Sequence, residues 1–278
     1  MELDGRVVVV TGGTRGVGAG IARSFLAAGA RVVVCARRPP EEPVVADGRA
    51  ALFRAVDLRD AGAVGEFFAE VAERYGRLDC LVNNAGGTPY RLLGEGKREG
   101  KRDGEREGER DGEREGEREG EAEWHARVVA LNLTAPLTAS LAAYPALRVA
   151  GGSVVMIGSV SGTRPSPGTA AYGAAKAGLE NLARSMAVEW APDVRVNTLV
   201  LGMVRTELSH LHYGDESGIA AVGATVPLGR LAEPSDVGEA AVFLASGRAA
   251  YVSGASLLVH GGGERPAFLD AATANKEN

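Results

Sequence analysis

Short apolar runs alternate with longer helical patterns along most of the chain, and this alternation constrains the fold most strongly. Seven runs have the length of strands and are apolar at consecutive positions, while the segments between them, such as residues 61–75 and 174–190, carry apolar residues at helical spacing. This pattern predicts an α/β fold, a doubly wound parallel sheet of about seven strands with helices on both faces. The predicted strands are residues 6–10, 31–35, 51–56, 80–83, 153–157, 194–200 and 256–259.

A low-complexity segment interrupts the alternation. Residues 96–119 form six tetrads of glycine, a charged residue, arginine and an acidic residue. Six glycines cost a helix about 5 kcal/mol relative to alanine, and the segment has no apolar face to bury. We predict a solvated, mobile loop and interpret it as a passive expansion rather than a lid. The remaining length suits one domain over residues 1–263, followed by a tail over residues 264–278.

Composition and charge exclude several classes of function. The chain is 45% hydrophobic and 24% charged, which is typical of a globular protein and not of a disordered or fibrous one. A net charge of −5 provides no basic field for nucleic acid or anionic lipid. No run approaches the roughly eighteen apolar residues of a membrane span, and the start of the chain is acidic, unlike a secretory signal. We expect no nucleic-acid or membrane partner and a cytoplasmic location.

The cysteines and histidines do not form a metal-binding pattern. Cys35 and Cys80 both lie in apolar runs predicted to be strands, which favours two reduced core thiols over a disulfide or a metal pair. His210 and His212 lack further ligands nearby in sequence, which favours hydrogen bonding within a loop. We therefore predict no metal site.

A glycine-rich turn follows the first predicted strand and opens the first predicted helix. Residues 11–18 read Thr-Gly-Gly-Thr-Arg-Gly-Val-Gly. At such a turn, backbone N–H groups and the helix dipole point toward a phosphate, while glycines permit its close approach. A tight connection with no ligand is the alternative for a glycine turn taken alone. The candidate phosphate-binding residues are Gly12, Thr14, Arg15, Gly16, Val17 and Gly18.

The Gly-x3-Gly-x-Gly spacing resembles the short-chain dehydrogenase/reductase family, and further motifs extend the resemblance over residues 6–263. Residues 83–86 read Asn-Asn-Ala-Gly at the end of the fourth strand, and residues 172–176 read Tyr-Gly-Ala-Ala-Lys, thirteen residues after Ser159. The resemblance implies a Rossmann-like, dinucleotide-binding catalytic domain. It also implies an NAD(P)-dependent oxidoreductase acting on CH–OH or ketone groups, and a homotetramer, with a dimer as the alternative.

The resemblance implies a catalytic tetrad of Asn132, Ser159, Tyr172 and Lys176. A tyrosine with a pKa of about 10 needs a nearby cation to act at neutral pH, and Lys176 follows Tyr172 by four residues on one helical face. Tyr172 is expected to donate a proton to a carbonyl oxygen that Ser159 polarises. Lys176 is also expected to bind the nicotinamide ribose, and Asn132 to hold a water in a proton relay. The alternative to a catalytic role is that Tyr172 and Lys176 are a pair on a helix surface and that Ser159 is a residue of a turn.

Arginines near the end of the second strand favour NADP(H) over NAD(H). An acidic residue there would bind the ribose hydroxyls of NAD, but this chain has Ala36, Arg37 and Arg38. Arg15 and Arg37 are expected to bracket a 2′-phosphate, with Arg38 an equally placed competitor. The other cofactor contacts that the resemblance implies are Asp57, Leu58, Asn84, Ala85, Gly86, Tyr172, Lys176, Val204 and Thr206.

The chain departs from the family pattern at two positions near the sheet's far end. Leu201 stands where a proline usually precedes Gly202, which is expected to loosen the start of the following loop. His260 stands where the family has an aspartate, near a strand that family members use in oligomers. Residues 207–226 mix apolar and polar groups and are expected to cover the substrate.

Together these features predict an enzyme that acts on a small-molecule ketone or alcohol. We favour NADPH-dependent reduction of a ketone or β-ketoacyl substrate to a secondary alcohol. One alternative is NAD(P)-dependent oxidation of a secondary alcohol resembling a steroid or a sugar. The other is a non-catalytic dinucleotide-binding protein that senses redox state, which the complete tetrad disfavours.

Overall fold

A computed structural model describes residues 2–94, 120–264 and 266–272. The segment over residues 96–119, for which we predict a mobile loop, lies outside the described residues. The strands are β1 (Val7–Thr11), β2 (Arg31–Ala36), β3 (Val45–Ala46), β4 (Arg49–Ala50), β5 (Leu52–Ala55), β6 (Cys80–Asn83), β7 (Ser153–Ser159), β8 (Arg195–Leu201) and β9 (Ser256–Val259). The α-helices are α1 (Gly16–Ala27), α2 (Ala61–Tyr75), α3 (Glu121–Val129), α4 (Ala135–Ala150), α5 (Ala170–Glu189), α6 (His210–Tyr213), α7 (Glu216–Thr225), α8 (Pro234–Ala245) and α9 (Ala267–Ala271).

Seven of these strands form one parallel sheet in the order β5-β2-β1-β6-β7-β8-β9, which confirms the predicted α/β fold. In its register, Val8 of β1 lies opposite Val32 of β2 on one side and Cys80 of β6 on the other. The strand order reverses at β1. In such sheets a crevice opens at the carboxyl ends of the strands beside the reversal, and ligands bind there.

The valine-rich strands are buried on both faces because helices cover each side. In β1, Val7 and Val9 pack in a core cluster that includes residues of α2, α4 and α5. Val8 and Val10 pack in a second cluster with residues of α1 and α8. The alternation of side chains along a strand therefore divides one apolar run between two cores.

Helix α2 begins and ends where the sequence predicts. The Asp60 carboxylate accepts hydrogen bonds from the N–H groups of Gly62 and Ala63, which caps the first turn. Gly76 ends the helix in the left-handed conformation, with a φ of 68°.

Three features differ from the sequence predictions. Helix α5 starts at Ala170, four residues before the predicted start. The expected loop over residues 207–226 contains the helices α6 and α7. The antiparallel pair β3–β4 was not predicted, since strands of two residues are too short to show a periodic pattern.

One continuous helical stretch, Glu121–Ala150, is long and apolar enough to cross a membrane by length and composition alone. The core helix of a globular domain meets the same criterion. Ala139, Ala143 and Leu147 in this stretch are fully buried in the core.

Cys35 and Cys80 are buried free thiols, as predicted. Burial raises the pKa of both thiols to about 12, so they stay protonated at neutral pH. They act as small apolar side chains of the core.

Candidate active site

The glycine turn connects β1 to α1 at the point where the strand order reverses. Gly12 adopts a φ of +63°, which favours glycine, and its N–H donates to the Cys35 carbonyl at 2.7 Å. A Cβ on Gly18 would overlap the Gly12 carbonyl and the Asn84 amide. Arg15 caps α1 without a side-chain hydrogen bond, so no local side chain neutralises the helix N-terminus. The turn thus leaves room and partial positive charge for an anion.

Thr11 and Asn84 hold the glycine turn against the end of β6. The Thr11 hydroxyl accepts hydrogen bonds from the N–H groups of Asn84 and Ala85, both at 3.0 Å. The Asn84 side chain donates to the carbonyls of Thr11 and Gly12 at 2.9 and 3.2 Å. These bonds bring the predicted residues of the turn and of the Asn-Asn-Ala-Gly motif together on one wall of the crevice.

Asn132 lies in a π-helical turn, Ala130–Thr134, between α3 and α4. Its amide donates to the carbonyls of Val128 and Gly87 at 2.9 and 3.0 Å, and its oxygen accepts from the Gly87 N–H at 3.3 Å. A Cβ on Gly86 would lie 2.5 Å from Asn132 Oδ1 and 3.7 Å from Lys176 Nζ. Gly86, Asn132 and Lys176 therefore converge, and the π-turn is a distortion that often marks functional positions.

Ser159, Tyr172 and Lys176 meet beside this point. Ser159 ends β7, whereas Tyr172 and Lys176 lie one turn apart on α5. Lys176 Nζ donates to the Ile157 carbonyl at 2.7 Å and lies 5.5 Å from the centre of the Tyr172 ring. The Ser159 hydroxyl hydrogen-bonds the Tyr172 phenol. All four residues of the predicted tetrad are thus at the carboxyl edge of the sheet.

Burial perturbs both titratable groups of this cluster. It raises the pKa of Tyr172 above its usual value, and the hydrogen bond with Ser159 opposes the rise only in part. Burial lowers the pKa of Lys176 to about 8. A neutral phenol beside a buried cation can give up a proton when a stronger base, such as a developing alkoxide, comes within reach.

The loops after β2 and β5 carry the residues predicted to bind the adenosine half of a dinucleotide. Hydrogen bonds from Arg59 lower the pKa of Asp57 to about 2, and the Arg37 charge contributes to this, so Arg37 lies near Asp57. Leu58 is buried. Within the described parts of the chain, neither Arg15 nor Arg37 forms an ion pair with a carboxylate. Both guanidinium groups remain available for an anion.

The segment after β8 approaches the glycine turn from the opposite wall. Val204 forms an isolated parallel bridge with Ala232, which fixes the start of the segment. The Thr206 N–H donates to the Ser209 hydroxyl at 2.9 Å, and its own hydroxyl accepts from the Leu208 N–H at 3.3 Å. These contacts fix the segment locally, and a Cβ on Gly16 would lie 3.5 Å from the Thr206 methyl group.

Glu207 is a site residue that the sequence analysis missed. Its carboxylate accepts a hydrogen bond from the Gly16 N–H at 2.9 Å, across 191 positions of sequence. An acidic side chain thus lies at the positive end of α1, where a phosphate would also be favoured. No local pattern reveals this contact, because only the fold brings the two segments together.

The helices α6 and α7 form the rest of this wall. His210 Nδ1 hydrogen-bonds the Glu207 carbonyl at 2.9 Å, which agrees with the loop role expected for it. Burial raises the pKa of Tyr213. Within the ranges that the structure describes, no group of three or more histidine, cysteine or carboxylate side chains is placed to hold a metal ion.

Comparisons with known proteins agree with this geometry. The short chain dehydrogenase family model matches residues 6–216. L-fucose dehydrogenase of Oryctolagus cuniculus is 34% identical, over 94% of this chain and 85% of the relative. The 3-oxoacyl-(acyl-carrier-protein) reductase of Escherichia coli (strain K12) is 32% identical, over 94% and 98%. Ligand-free aldohexose dehydrogenase of Thermoplasma acidophilum superposes with a TM-score of 0.79 at 27% identity, over 94% of each chain.

The fold and these matches define an NAD(P)-dependent oxidoreductase. The chain belongs to the short-chain dehydrogenase family. Membership favours an enzyme over the non-catalytic redox sensor considered from the sequence.

Proposed function

We propose that the chain reduces a ketone or β-ketoacyl substrate to a secondary alcohol with NADPH. The observation that carries the proposal is Tyr172 beside the buried Lys176, with Ser159 bonded to the phenol, at the edge of the sheet where the glycine turn lies. This pair supplies a proton donor and the cation that stabilises its conjugate base.

The residues of the crevice fit a dinucleotide. The cradle formed by Gly12 and Gly18, which a Cβ would fill, together with the N-terminus of α1, where Arg15 forms no side-chain cap, suits a diphosphate. Thr14, Gly16 and Val17 would hold it there, and Asn84, Ala85 and Gly86 would line the same wall. Lys176 and Tyr172 would bind the nicotinamide ribose, and Val204 and Thr206 the carboxamide. Asp57 and Leu58 would contact the adenine.

The preference for NADP(H) rests on Arg15 and Arg37. Both lack a carboxylate partner among the described residues, and no acidic residue ends β2. Planar guanidinium groups suit the oxygens of a 2′-phosphate. NAD(H) is the less favoured cofactor.

When bound between these residues, the nicotinamide would supply the hydride that the carbonyl carbon needs. Ser159 donates a hydrogen bond that polarises the carbonyl oxygen, and Tyr172 gives its phenolic proton to that oxygen. The Lys176 ammonium stabilises the phenolate that remains, and Asn132 positions the loop at Gly87 for a relay that returns a proton from solvent. The products are a secondary alcohol and the oxidised cofactor.

Oxidation of a secondary alcohol is the second candidate. The relatives named for L-fucose and aldohexose oxidation favour it, whereas the 3-oxoacyl reductase favours reduction. The same residues serve both directions, because a tyrosinate held by Lys176 accepts the proton that the phenol donates.

Two assays distinguish reduction from oxidation. The first follows NADPH absorbance with ketones, β-ketoesters, β-ketoacyl thioesters and quinones. The second follows NADP⁺ reduction with sugars and steroid alcohols. We expect turnover on at least one carbonyl compound. Turnover on alcohols alone would favour the second candidate, and none on either panel would overturn both.

Cofactor preference is tested separately by fluorescence titration of NADPH and NADH. We expect NADPH to bind more tightly, and Arg15→Gln with Arg37→Gln to remove that preference by weakening NADPH binding only. Arg23→Gln, an exposed arginine of α1, is the matched control. Tighter binding of NADH to the wild type would overturn the NADP(H) assignment.

We further propose a single catalytic domain over residues 1–263 that forms a homotetramer, or else a dimer, in the cytoplasm. Exposed Leu141 and Val149 on α4, Val188 on α5 and Leu258 on β9 support association. The two reduced, buried thiols agree with a reducing compartment. Light scattering coupled to gel filtration tests the assembly, and a monomeric mass would contradict it.

A further inference from the structure

A cavity of about 590 Å³ opens at the amino-terminal edge of the sheet, away from the candidate active site. Its walls come from four separate segments: the residues before β1, the end of α1 with the start of β2, the stretch from β4 to β5, and the end of α2. The volume is in the range of small-molecule sites. Neither the proposed reaction nor the sequence motifs use it.

Three arginines dominate the charge of this cavity. Arg31, Arg49 and Arg74 line it, and Asp4 is the only carboxylate among its lining residues. None of the three guanidinium groups forms an ion pair or hydrogen bond with a carboxylate in residues 2–94, 120–264 and 266–272. The lining therefore carries a net positive charge in a chain whose net charge is −5.

Other arginines near this edge of the sheet do have carboxylate partners. Arg6 and Arg77 both pair with Asp79, and Arg54 pairs with Glu70. Arg74 lies in the last turn of α2, where a cation is favoured by the helix dipole. Arg31 and Arg49 belong to strands and have no such role. Their guanidinium groups, which form no ion pair within the described residues, are free to bind a ligand in the cavity.

The rest of the lining narrows the ligand class. Guanidinium groups bind phosphate oxygens through paired N–H donors, and three groups suit more than one phosphate. Leu26, Val32 and Leu52 supply apolar surface, and Tyr75 offers a half-buried ring with Arg74 at 5.6 Å from its centre. We infer that this cavity binds a small molecule that carries a polyphosphate chain, independently of the proposed reaction.

Calorimetric titration with sodium tripolyphosphate tests the inference. Because Arg15 and Arg37 at the active-site crevice also attract phosphates, every protein in the test carries Arg15→Gln and Arg37→Gln. We expect this parent variant to bind tripolyphosphate, and added Arg31→Gln with Arg49→Gln to weaken binding at least tenfold. Added Arg23→Gln, which removes an exposed arginine outside the cavity, is expected to change the affinity less than twofold.

Circular dichroism and the unfolding midpoint confirm that each variant is folded. No binding by the parent variant, or equal weakening by Arg23→Gln and by the cavity substitutions, would overturn the site. A parallel titration with ATP separates two sources of the same chemistry. Tighter binding of ATP than of tripolyphosphate indicates a nucleotide, whereas equal affinities indicate a free polyphosphate, and both results support the site.

Discussion

Both edges of the sheet bury a charged side chain, but they surround it differently. At the amino edge, Asp79 is 7% exposed and accepts hydrogen bonds from Arg6, Arg77 and the Val7 N–H. At the carboxyl edge, Lys176 is 3% exposed and donates to the Ile157 carbonyl, with no carboxylate partner in the described ranges. One charge is neutralised by its neighbours and the other is not.

The pKa shifts express this difference. Burial alone would raise the pKa of Asp79, but the hydrogen bonds from Arg77, Arg6 and Val7 outweigh it and the pKa is lowered. Burial lowers the pKa of Lys176 to about 8, which means that its charged form is held at a cost in free energy. A satisfied charge stabilises the fold, whereas an unsatisfied one is characteristic of a site that performs chemistry.

The largest effect is expected at the carboxyl edge, on removal of the proton donor. Tyr172→Phe keeps the ring and its packing but removes the hydroxyl, and we expect the turnover number to fall by about a thousandfold. NADPH affinity and the unfolding midpoint should change little. A variant that keeps a tenth of the activity would show that another group donates the proton.

At the amino edge, Asp79→Asn should reduce stability and leave turnover intact. Losing a buried carboxylate held by two arginines costs about 2 kcal/mol in the free energy of unfolding at pH 7. Since the folded pKa of Asp79 is lowered, its stabilisation is present above the carboxyl's unfolded pKa and is lost as the pH falls through the folded pKa.

Urea denaturation of the wild type and the variant at pH 7 and pH 3 measures this difference. We expect the difference in unfolding free energy between the wild type and Asp79→Asn to be smaller at pH 3 than at pH 7. Glu66→Gln, at an exposed position of α2, is the control and should show no gap. A gap of the same size at both pH values would mean that the carboxylate charge does not stabilise the fold.

A smaller effect is expected at Glu207, which brings a carboxylate into the carboxyl edge. Because this carboxylate faces the Gly16 N–H, it should repel a bound diphosphate. Helix-terminal charges are worth roughly 0.3 to 1 kcal/mol, so Glu207→Gln should tighten NADPH binding about twofold to fivefold at low salt. The gain should shrink at high salt.

Fluorescence titration at two salt concentrations checks this prediction. Glu216→Gln, on the same wall but paired with Arg205, is the matched control. Weaker NADPH binding by Glu207→Gln would show that the carboxylate holds the crevice closed over the cofactor instead.

Much of the fold was predictable because its signals are local. The run of valines in β1 and the apolar spacing over residues 61–75 specify strand and helix from neighbouring residues alone. The tetrad was predictable because Tyr172 and Lys176 share one helix and Ser159 follows an apolar run. The sequence around each of these residues is enough to predict the element on which it lies.

The remaining features depend on contacts between distant segments. The Glu207–Gly16 bond, the π-turn around Asn132 and the arginine-lined cavity arise only when the strands have assembled. The β3–β4 pair was missed because its strands are too short to show a period. Tertiary packing, rather than local preference, determines these features.

The most direct test of the comparison is the stability of Lys176→Met. Methionine is similar in length and removes the charge, so we predict loss of activity together with an unfolding free energy at pH 7 that is equal to the wild type's or higher by up to about 3 kcal/mol. As the pH rises from about 8 to 10.5, the wild type should gain stability relative to the variant, because its unfolded state then binds more protons. A variant that is markedly less stable than the wild type at pH 7, as expected for Asp79→Asn, would contradict the account.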